Sequence, residues 1–409
     1  MSASIPGLPI LDHDDSMLSR KFGREVANYF SGSPLNRVSF LRTDHAFLNA
    51  AFAHSTTSFL LLDNYSPLAK DTANLAYVSK EDITPLTGLE PFAKTEEEQT
   101  KQFNSTITRP LILFLGLDEK KQTGFEYRDY KGSPYFAIDV TPKGSIQDTA
   151  KSVIEAVKTK HGLSFIPGAR LMSLNSPEAA IYAQARALLD WNARNPFCGG
   201  CGQRTMSINA GTKRVCPPTD LAGVPEGREP TKREDCPTRH GISNLCFPRT
   251  DPTVIMAIVS ADGTKLLLGR GKRYPPGWYS TLAGFLEPGE SIEEAVRRET
   301  WEESGVHVGR VVIHSSQPWP YPANLMIGAI GQAKPEGETI NLGNDPELED
   351  AKWYPIDEVR EALSKGGSAL DAPMSEEDKG RLRIPPQTAI ANRLMNAVVE
   401  GYLGESPRI

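Results

Sequence analysis

Residues 284–306 read GFLEPGESIEEAVRRETWEESGV, and the architecture expected for the C-terminal part of the chain follows from them. Ser291 and Glu294 have the spacing of a capping box, which predicts that a helix begins there. Gly305 stands where a residue in the left-handed conformation would end that helix. We therefore expect one helix over residues 291–304.

Three glutamates crowd onto one face of this predicted helix. Glu299, Glu302 and Glu303 stand at positions i, i+3 and i+4, where like charges repel by roughly a few tenths of a kcal/mol per pair. Arg298 has the i,i+4 spacing to pair with Glu302 and with Glu294, which would offset part of the repulsion. Gathered oxygen ligands of this kind suit Mg²⁺ or Mn²⁺, which also take phosphate oxygens of a substrate.

The whole stretch resembles the Nudix box, Gly-x5-Glu-x7-Arg-Glu-U-x-Glu-Glu-x-Gly-U, where U is aliphatic. Every fixed residue is in place, and Thr300 departs at the first aliphatic position. A solvated charged helix is the alternative, but the complete spacing favours the Nudix interpretation. The resemblance implies an α/β (α+β) fold, a Nudix α/β/α sandwich with a mixed sheet, and a metal-dependent hydrolase.

Cysteines upstream of this stretch fall near metal-ligand spacing: Cys198, Cys201, Cys216 and Cys236. Zinc takes four thiolates in a tetrahedron, and a segment so poor in apolar residues would draw much of its folding free energy from the metal. Cys246 competes for the fourth place, but its neighbours are apolar, whereas Cys236 has a polar, turn-like context. The alternative is a loop with free cysteines. Four protein ligands would make the zinc structural.

Residues 316–324 read SQPWPYPAN and resemble the SQPWPFPxS signature of the NADH pyrophosphatases, the Nudix subfamily that also removes NAD caps from RNA. Its prolines stiffen the segment. The faces of Trp319 and Tyr321 suit stacking on a base or on nicotinamide, worth roughly 1–3 kcal/mol for a base. Tyr321 replaces the signature Phe. Asn324 replaces the final Ser, which leaves the ligand geometry there open.

Position by position, the resemblance implies a set of site residues. Those that would ligate Mg²⁺ or Mn²⁺ are Glu299, Glu303, Glu347 and the carbonyl of Ala283. Those that would act in catalysis are Glu303, Glu302, Glu347 and Arg298, with Glu303 or Glu302 preferred as the general base and Glu347 as the third candidate. Those that would contact the substrate are Gln317, Pro318, Trp319, Pro320, Tyr321, Pro322, Ala323, Asn324 and Ala391. The implied reaction splits NADH or NAD⁺ into AMP and the nicotinamide mononucleotide.

The sequence predicts three domains: an N-terminal α/β domain over residues 1–190, a zinc-ribbon module over 191–249 and a Nudix catalytic domain over 250–409. In the first, strands are expected at 58–62 and 111–115, and Ser176 is expected to cap a helix over 176–192. In the last, strands are expected at 253–260, 265–269, 310–315 and 325–331, and helices at 355–363 and 388–402.

Charge and targeting features narrow the function further. A net charge of −6 argues against a broad grip on nucleic acid, although a capped 5′ end needs only a local groove. The N-terminus lacks the features of a signal peptide, and no apolar run reaches the length of a membrane span. The final Ser-Pro-Arg-Ile resembles a peroxisomal import signal only loosely. We expect a reducing compartment, either peroxisome or cytoplasm, and the subfamily resemblance implies a homodimer.

Two alternatives to the hydrolysis of free NADH stay open. The same site could remove NAD caps from RNA, with the zinc module touching the RNA. The chain could also be a non-catalytic dinucleotide-binding module, which the intact acidic and basic set of the box disfavours.

Overall fold

The structure is a computed structural model that describes residues 6–10, 17, 19, 25–121, 124–167, 171–240, 244–370, 372, 374 and 380–400. Its internal contacts divide the chain into two compact units. The first unit comprises residues 1–32, 250–319 and 324–409, and the second comprises residues 33–249 and 320–323. The C-terminal Pro-Arg-Ile, compared above with an import signal, lies outside the described residues.

The second unit is built on a mixed sheet. The strands of its N-terminal part are β1 (Ser58–Asp63), β2 (Ser66–Ala69), β3 (Tyr77–Val78), β4 (Ile112–Asp118), β5 (Glu126–Tyr127), β6 (Tyr130–Lys131), β7 (Ser133–Asp139) and β8 (Ser164–Phe165). The order in the sheet is β4-β7-β1-β2-β8, with β3 beside β1, while β5 and β6 form a separate hairpin. Only the β1–β7 pair is parallel among these described strands.

The helices of the second unit are α1 (His45–Ala53), α2 (Lys80–Thr87), α3 (Glu96–Lys101), α4 (Gln147–His161) and α5 (Ser176–Arg194). Apolar residues of α1 and α4 pack with the buried strands β1, β4 and β7 in one core, in which Phe52, Phe59 and Phe136 lie in ring contact. The predicted helix over 176–192 is confirmed as α5, but its N-cap is Asn175 rather than Ser176. Ser176 already lies in the first turn.

The cysteine segment continues the second unit with two short hairpins. Its strands are β9 (Met206–Ile208), β10 (Lys213–Val215), β11 (Thr219–Asp220) and β12 (Thr231–Lys232). Strand β9 pairs with β10, and β11 pairs with β12. A small apolar cluster of Phe103, Met206 and Ile208 supports this segment, so its own core is minimal, as the composition predicts.

The first unit is built on the second mixed sheet. Its strands are β13 (Asp251–Val259), β14 (Lys265–Gly271), β15 (Leu282–Phe285), β16 (Val308–Trp319), β17 (Asn324–Ala333) and β18 (Leu348–Pro355). The order is β16-β17-β13-β14-β18, with β15 also paired to β13, and β13 runs parallel to β17. Its helices are α6 (Ile292–Ser304), α7 (Ile356–Ser364) and α8 (Ile390–Val399).

Strand β13 shows why this unit is a sandwich. Val254 and Met256 pack into one apolar core together with Ala295 of α6. The alternate residues of the strand, such as Ile255, pack into another core together with Leu394 of α8. Side chains of a strand point alternately to the two faces of the sheet, so helices cover both faces. The predicted α/β/α sandwich with a mixed sheet is confirmed.

The predicted elements of this unit all occur, several of them longer than predicted. The capped helix is α6, and Gly305 follows it with a φ of 73° in the left-handed region. The helix expected over 388–402 begins at Ile390 and ends at Val399. Among the described residues, no helix combines the length and the apolar character that crossing a bilayer requires.

Candidate metal-dependent active site

A capping box fixes the start of the glutamate helix α6. The backbone N–H of Ser291 donates to the Glu294 carboxylate at 2.8 Å, and the Ser291 hydroxyl accepts from the backbone N–H of Glu294 at 3.3 Å. The Glu294 carboxylate is therefore hydrogen-bonded to the backbone at the start of the helix. The expected pair between Arg298 and Glu294 is not among the ion pairs of the described residues.

Arg298 instead connects three other carboxylates. Its Nε and Nη2 donate to the two oxygens of Glu290 at 2.8 and 2.9 Å. Its Nη1 donates to both Glu299 and Glu302 at 2.9 Å, and Nη2 also donates to the Phe285 carbonyl at 2.8 Å. The hydrogen bonds to Glu290 contribute most to a raised pKa of Arg298, and they lower the pKa of Glu290. One guanidinium thus orders the acidic face of the helix.

Glu299 lies against the backbone of β15. Its carboxylate packs so closely on the Cα of Gly284 that a methyl group at that position would overlap it. Burial raises the pKa of Glu299, and Arg298 acts in the opposite direction. The close approach brings the carboxylate beside Ala283, the residue whose carbonyl is expected to share a metal ion.

Glu303 is the most buried glutamate of the box, with 6% of its surface exposed. Burial, together with the like charges of Glu299, Glu347 and Asp345, raises its pKa to about 8. A buried carboxylate among other carboxylates is costly unless a cation compensates it. The donor set therefore fits a hard divalent cation.

A cavity of about 510 Å³ brings most of the predicted metal residues together. Ala283, Glu303 and Glu347 line it. Glu299, which packs on Gly284, is not among the lining residues, but its charge raises the pKa of Glu303. Glu302 is not among the lining residues. Its side chain is 36% exposed and bound by Arg298.

The sequence interpretation missed other residues that line this cavity, notably Asp345, Lys272 and Arg273. Asp345 stands two residues before Glu347 in the same acidic stretch. Lys272 and Arg273 form a basic pair at the start of a Pro/Gly-rich loop. The acidic stretch and the basic pair can both be read from the sequence, but nothing in the sequence predicts that they line the same cavity.

Within the first unit, Gln317 is completely buried and uses its amide internally. Its Nε2 donates to the carbonyls of Tyr29 at 3.0 Å and Thr388 at 2.8 Å, and its Oε1 accepts from the N–H of Ile390 at 2.9 Å. The Gln317 amide is therefore hydrogen-bonded within the unit, and the expectation that Gln317 contacts the substrate stays a prediction. It connects β16 to the start of α8, directly before the buried Ala391.

Three further signature residues of the first unit are partly exposed: Pro318, Trp319 and Asn324. The ring of Trp319 makes an edge contact with Phe30, at 6.1 Å between centroids. Asn324 donates from its amide to the Thr253 hydroxyl at 3.0 Å, whereas its side-chain oxygen is buried without a hydrogen-bond partner.

The four residues at the tip of the β16–β17 hairpin, Pro320, Tyr321, Pro322 and Ala323, group with the second unit. There the Arg186 guanidinium lies 4.6 Å from the Tyr321 ring centroid and donates to the Pro320 carbonyl. The Tyr321 hydroxyl accepts from the Leu171 N–H at 2.6 Å and donates to the Leu171 carbonyl at 3.1 Å. Hydrogen bonding of the hydroxyl explains why Tyr can replace the signature Phe here.

The second unit also contains a thiol cluster. The sulfur atoms of Cys198, Cys201, Cys216 and Cys236 all lie within 4.8 Å of one another. Cys246 is outside this group, and its thiol lies 3.9 Å from the Thr238 carbonyl. The Gly200 N–H donates to the Cys198 sulfur at 3.4 Å, a contact that stabilises a thiolate. Four converging sulfur ligands suit a tetrahedral zinc ion.

Comparison with known proteins agrees with this arrangement. The NUDIX domain model matches residues 249–376, the NADH pyrophosphatase zinc ribbon domain matches 193–223, and the NADH pyrophosphatase-like rudimentary NUDIX domain matches 56–191. The zinc ribbon match ends before Cys236, so the fourth thiol comes from beyond it.

Relatives match the chain over most of its length. The NAD-capped RNA hydrolase of Schizosaccharomyces pombe is 36% identical over 91% of this chain and 92% of that protein. The human NAD-capped RNA hydrolase NUDT12 is 33% identical over 91% of this chain and 73% of that protein. The human mitochondrial NAD(P)H pyrophosphatase NUDT13 is 30% identical over 85% of this chain and 86% of that protein.

A mixed sheet between helical layers, with a glutamate helix beside a carboxylate-lined cavity, defines a hydrolase of the Nudix type. The chain belongs to the Nudix family, in the branch of the NADH pyrophosphatases and NAD-capped RNA hydrolases. Nudix hydrolases generally need a divalent metal ion, which agrees with the carboxylate donor set of the cavity.

Proposed function

We propose that this enzyme hydrolyses the pyrophosphate bridge of NADH and NAD⁺, and that it also removes NAD caps from the 5′ end of RNA. The observation that carries the proposal is the buried carboxylate of Glu303 in a cavity shared with Ala283 and Glu347. The relatives support the substrates, because their names include both NAD-capped RNA hydrolases and an NAD(P)H pyrophosphatase.

Mg²⁺ or Mn²⁺ is the cation that we assign to the carboxylates. Glu299, Glu303 and Glu347 would hold it together with the carbonyl of Ala283. When bound, such ions neutralise phosphate charge and lower the pKa of water. Arg298 keeps Glu299 and Glu302 in place, so the ligand set is organised before a substrate arrives.

The reaction needs one proton acceptor. A water oxygen bonds to one phosphorus, the bond from that phosphorus to the bridging oxygen breaks, and the bridging oxygen leaves on the other phosphate. The water proton passes to a carboxylate, a general-base contribution of about 10²–10⁴-fold. We assign the general base to Glu303, because it lines the cavity. Glu302 does not line the cavity and is bound by Arg298. Glu347 remains the third candidate.

The signature segment would bind the nucleotide part of the substrate. Trp319 offers a partly exposed aromatic face for stacking. Asn324 pairs with Trp319 across the β16–β17 hairpin, and its side-chain oxygen has no hydrogen-bond partner. Gln317 supports this segment from inside. Pro318, Pro320, Tyr321, Pro322, Ala323 and the backbone at Ala391 complete the proposed substrate-binding set.

The proposal also covers the domain organisation, the oligomeric state and the location in the cell. We propose an N-terminal domain over residues 1–190, a structural zinc module over 191–249 held by the four clustered thiols, and a catalytic domain over 250–409. A homodimer in the peroxisome or cytoplasm stays our prediction for its state in the cell.

A substrate panel tests the proposal. NADH, NAD⁺, NAD-capped RNA and a nucleoside triphosphate are incubated with Mg²⁺ or Mn²⁺, and products are separated by chromatography. We expect the nicotinamide mononucleotide and AMP from the dinucleotides, and 5′-monophosphate RNA from the capped RNA. Tight binding of NADH without any product would instead favour the non-catalytic module. Turnover that survives complete removal of divalent ions would overturn the metal assignment.

A further inference from the structure

A short turn places two cations at the edge of the catalytic cavity. The N–H of Tyr274 donates to the Gly271 carbonyl at 2.9 Å, so Lys272 and Arg273 occupy the tip of a β-turn at the end of β14. Both side chains are exposed, and both residues line the cavity that contains Glu303.

The loop that carries this turn is anchored on its C-terminal side. The rings of Tyr274 and Trp278 lie 4.7 Å apart between centroids, and the buried Trp278 donates from its indole to the Ser368 carbonyl at 3.1 Å. The backbone around Gly277 and Tyr279 is hydrogen-bonded to Arg383. The backbone of the tip is therefore held at both ends.

Neither cation is neutralised by the acidic residues around it. Neighbouring basic residues of the same sheet are paired: Arg270 with Glu349 at 3.0 Å and Lys352 with Asp350 at 2.7 Å. Among the described residues, Lys272 and Arg273 take part in no ion pair, although carboxylates line the same cavity. Unpaired cations at a fixed turn are available to an anion from outside the chain.

The residues that line the cavity differ in charge and in exposure. Glu303 is buried and belongs to the carboxylate cluster that would hold metal ions against the pyrophosphate. Lys272 and Arg273 line the same cavity and are exposed to solvent. A free dinucleotide has its phosphate charge in the bridge, whereas capped RNA adds one phosphodiester for each nucleotide after the adenosine. Those additional phosphates must leave the cavity on the side that is open to solvent.

We propose that Lys272 and Arg273 bind the first phosphodiester groups of the RNA that follows an NAD cap, and so select capped RNA over the free dinucleotide. This inference rests on the proposed function, because it assumes that the carboxylate cluster binds the pyrophosphate. It makes the turn a specificity determinant, and the net negative charge of the chain does not oppose it, since the contact is local.

The test compares kcat/KM for NAD⁺ with kcat/KM for NAD⁺ extended at the adenosine 3′ hydroxyl by one nucleotide and by several nucleotides. The wild-type chain and the double variant K272A/R273A are measured over a series of salt concentrations. The charge-matched control is R310A/K334A, which removes two exposed cations of the same unit that do not line the cavity.

For the wild type we expect kcat/KM to rise with the added nucleotides and to fall steeply with salt. In K272A/R273A, the ratio of kcat/KM for the extended substrates to that for NAD⁺ should fall about tenfold. The logarithmic salt slope should become shallower by about 0.7 for the one-nucleotide extension and by about 1.4 for the longer extension, since each contacted phosphate of a single strand contributes roughly 0.7. The control should keep the wild-type ratio and slope.

Equal losses on NAD⁺ and on the extended substrates would overturn the inference, because the cations would then act on the shared pyrophosphate. An unchanged ratio and slope would overturn it as well. A wild-type chain that cleaves none of these substrates would reject the proposed function itself, and the inference with it. Full wild-type activity with an unaltered ratio in the double variant rejects the inference alone.

Discussion

Arg298 binds Glu290 through two parallel hydrogen bonds of 2.8 and 2.9 Å, and its third nitrogen, Nη1, holds Glu299 and Glu302. The fork of a guanidinium makes this possible, because its N–H groups point in fixed directions within one plane. Lysine has the same charge but lacks this geometry. The acidic face of α6 is therefore organised by shape as well as by charge.

The first prediction concerns this fork. R298K should raise the Mg²⁺ or Mn²⁺ concentration for half-maximal activity by about 10–100-fold, since residues that orient metal ligands typically contribute that much to affinity. Metal titration of activity checks it, with circular dichroism as evidence of folding. The matched control is R297K, because Arg297 donates to the Gly309 carbonyl and to no glutamate of the box. A wild-type metal requirement in R298K would contradict the prediction.

The second prediction concerns the buried carboxylate. E303Q should lose about 10²–10⁴-fold in kcat, the range for a general base. The same change should raise the free energy of unfolding of the metal-free chain at pH 7 by about 1–3 kcal/mol, because burial among other carboxylates opposes an ionisation of Glu303 that the unfolded chain allows. Urea unfolding in the presence of a chelator measures this gain. E293Q, in the first turn of the same helix, should show neither effect.

The third prediction separates the two candidates for the fourth zinc ligand. C236S should lose zinc and destabilise the second unit by several kcal/mol, because metal binding supplies folding free energy in such small modules. C246S should retain about one zinc ion per chain. Metal analysis after dialysis, combined with thermal unfolding, checks both. Equal zinc content in C236S and the wild type would show that Cys236 is not a ligand.

The fourth prediction concerns the stacking surface. W319A should raise KM for NADH about 5- to 150-fold with little change in kcat, which corresponds to the roughly 1–3 kcal/mol of one stacked base. F40A, which removes an aromatic ring that is 62% exposed in the second unit, is the control. A loss in kcat without a change in KM would mean that Trp319 does not act through ground-state binding.

The fifth prediction concerns stability and pH in the second unit. Burial alone would raise the pKa of Asp82, but hydrogen bonds from Lys160 at 2.6 Å and from His161 at 3.1 Å lower it well below its usual value. A depressed carboxyl pKa stabilises the fold above the unfolded pKa of about 3.9, and this contribution is lost as pH falls through the folded value.

D82N should therefore lower the free energy of unfolding at pH 7 by about 1.5–3 kcal/mol. The difference from the wild type should shrink below about pH 4. Urea unfolding at both pH values measures this dependence. E155Q, which removes an exposed partner of Lys158, should cost much less. A deficit of D82N that is independent of pH would exclude charge as its cause.

Much of this structure could be predicted because its signals are local. The capping box of Ser291 and Glu294 and the left-handed Gly305 depend on residues a few positions apart, so the bounds of α6 follow from the sequence. The burial of β13 on both faces of the sheet follows from its continuous apolar run. The carboxylate face of α6 follows from helical periodicity alone.

What could not be predicted depends on contacts between distant segments. Arg298 pairs with Glu290, eight residues away and outside the helix, rather than with Glu294, because the capping box already occupies Glu294. Gln317 looks like a substrate ligand in the signature, yet it bonds to backbone groups near Tyr29 and Ile390. The periodicity of a helix or a strand does not predict such distant hydrogen-bond partners. The sequence likewise does not predict that the Lys272–Arg273 turn lines the cavity.

Gly284 has no side chain, yet the position of Glu299 depends on it, because the carboxylate occupies the space where a Cβ would stand. Alanine there would displace the carboxylate from β15 while leaving every titratable group of the chain intact. In a mutational survey of activity, substitutions at position 284 should therefore be as damaging as substitutions of the acidic residues, and more damaging than substitutions of glycines in turns. Absence of one methyl group is, in this enzyme, as much a chemical requirement as the presence of an acid.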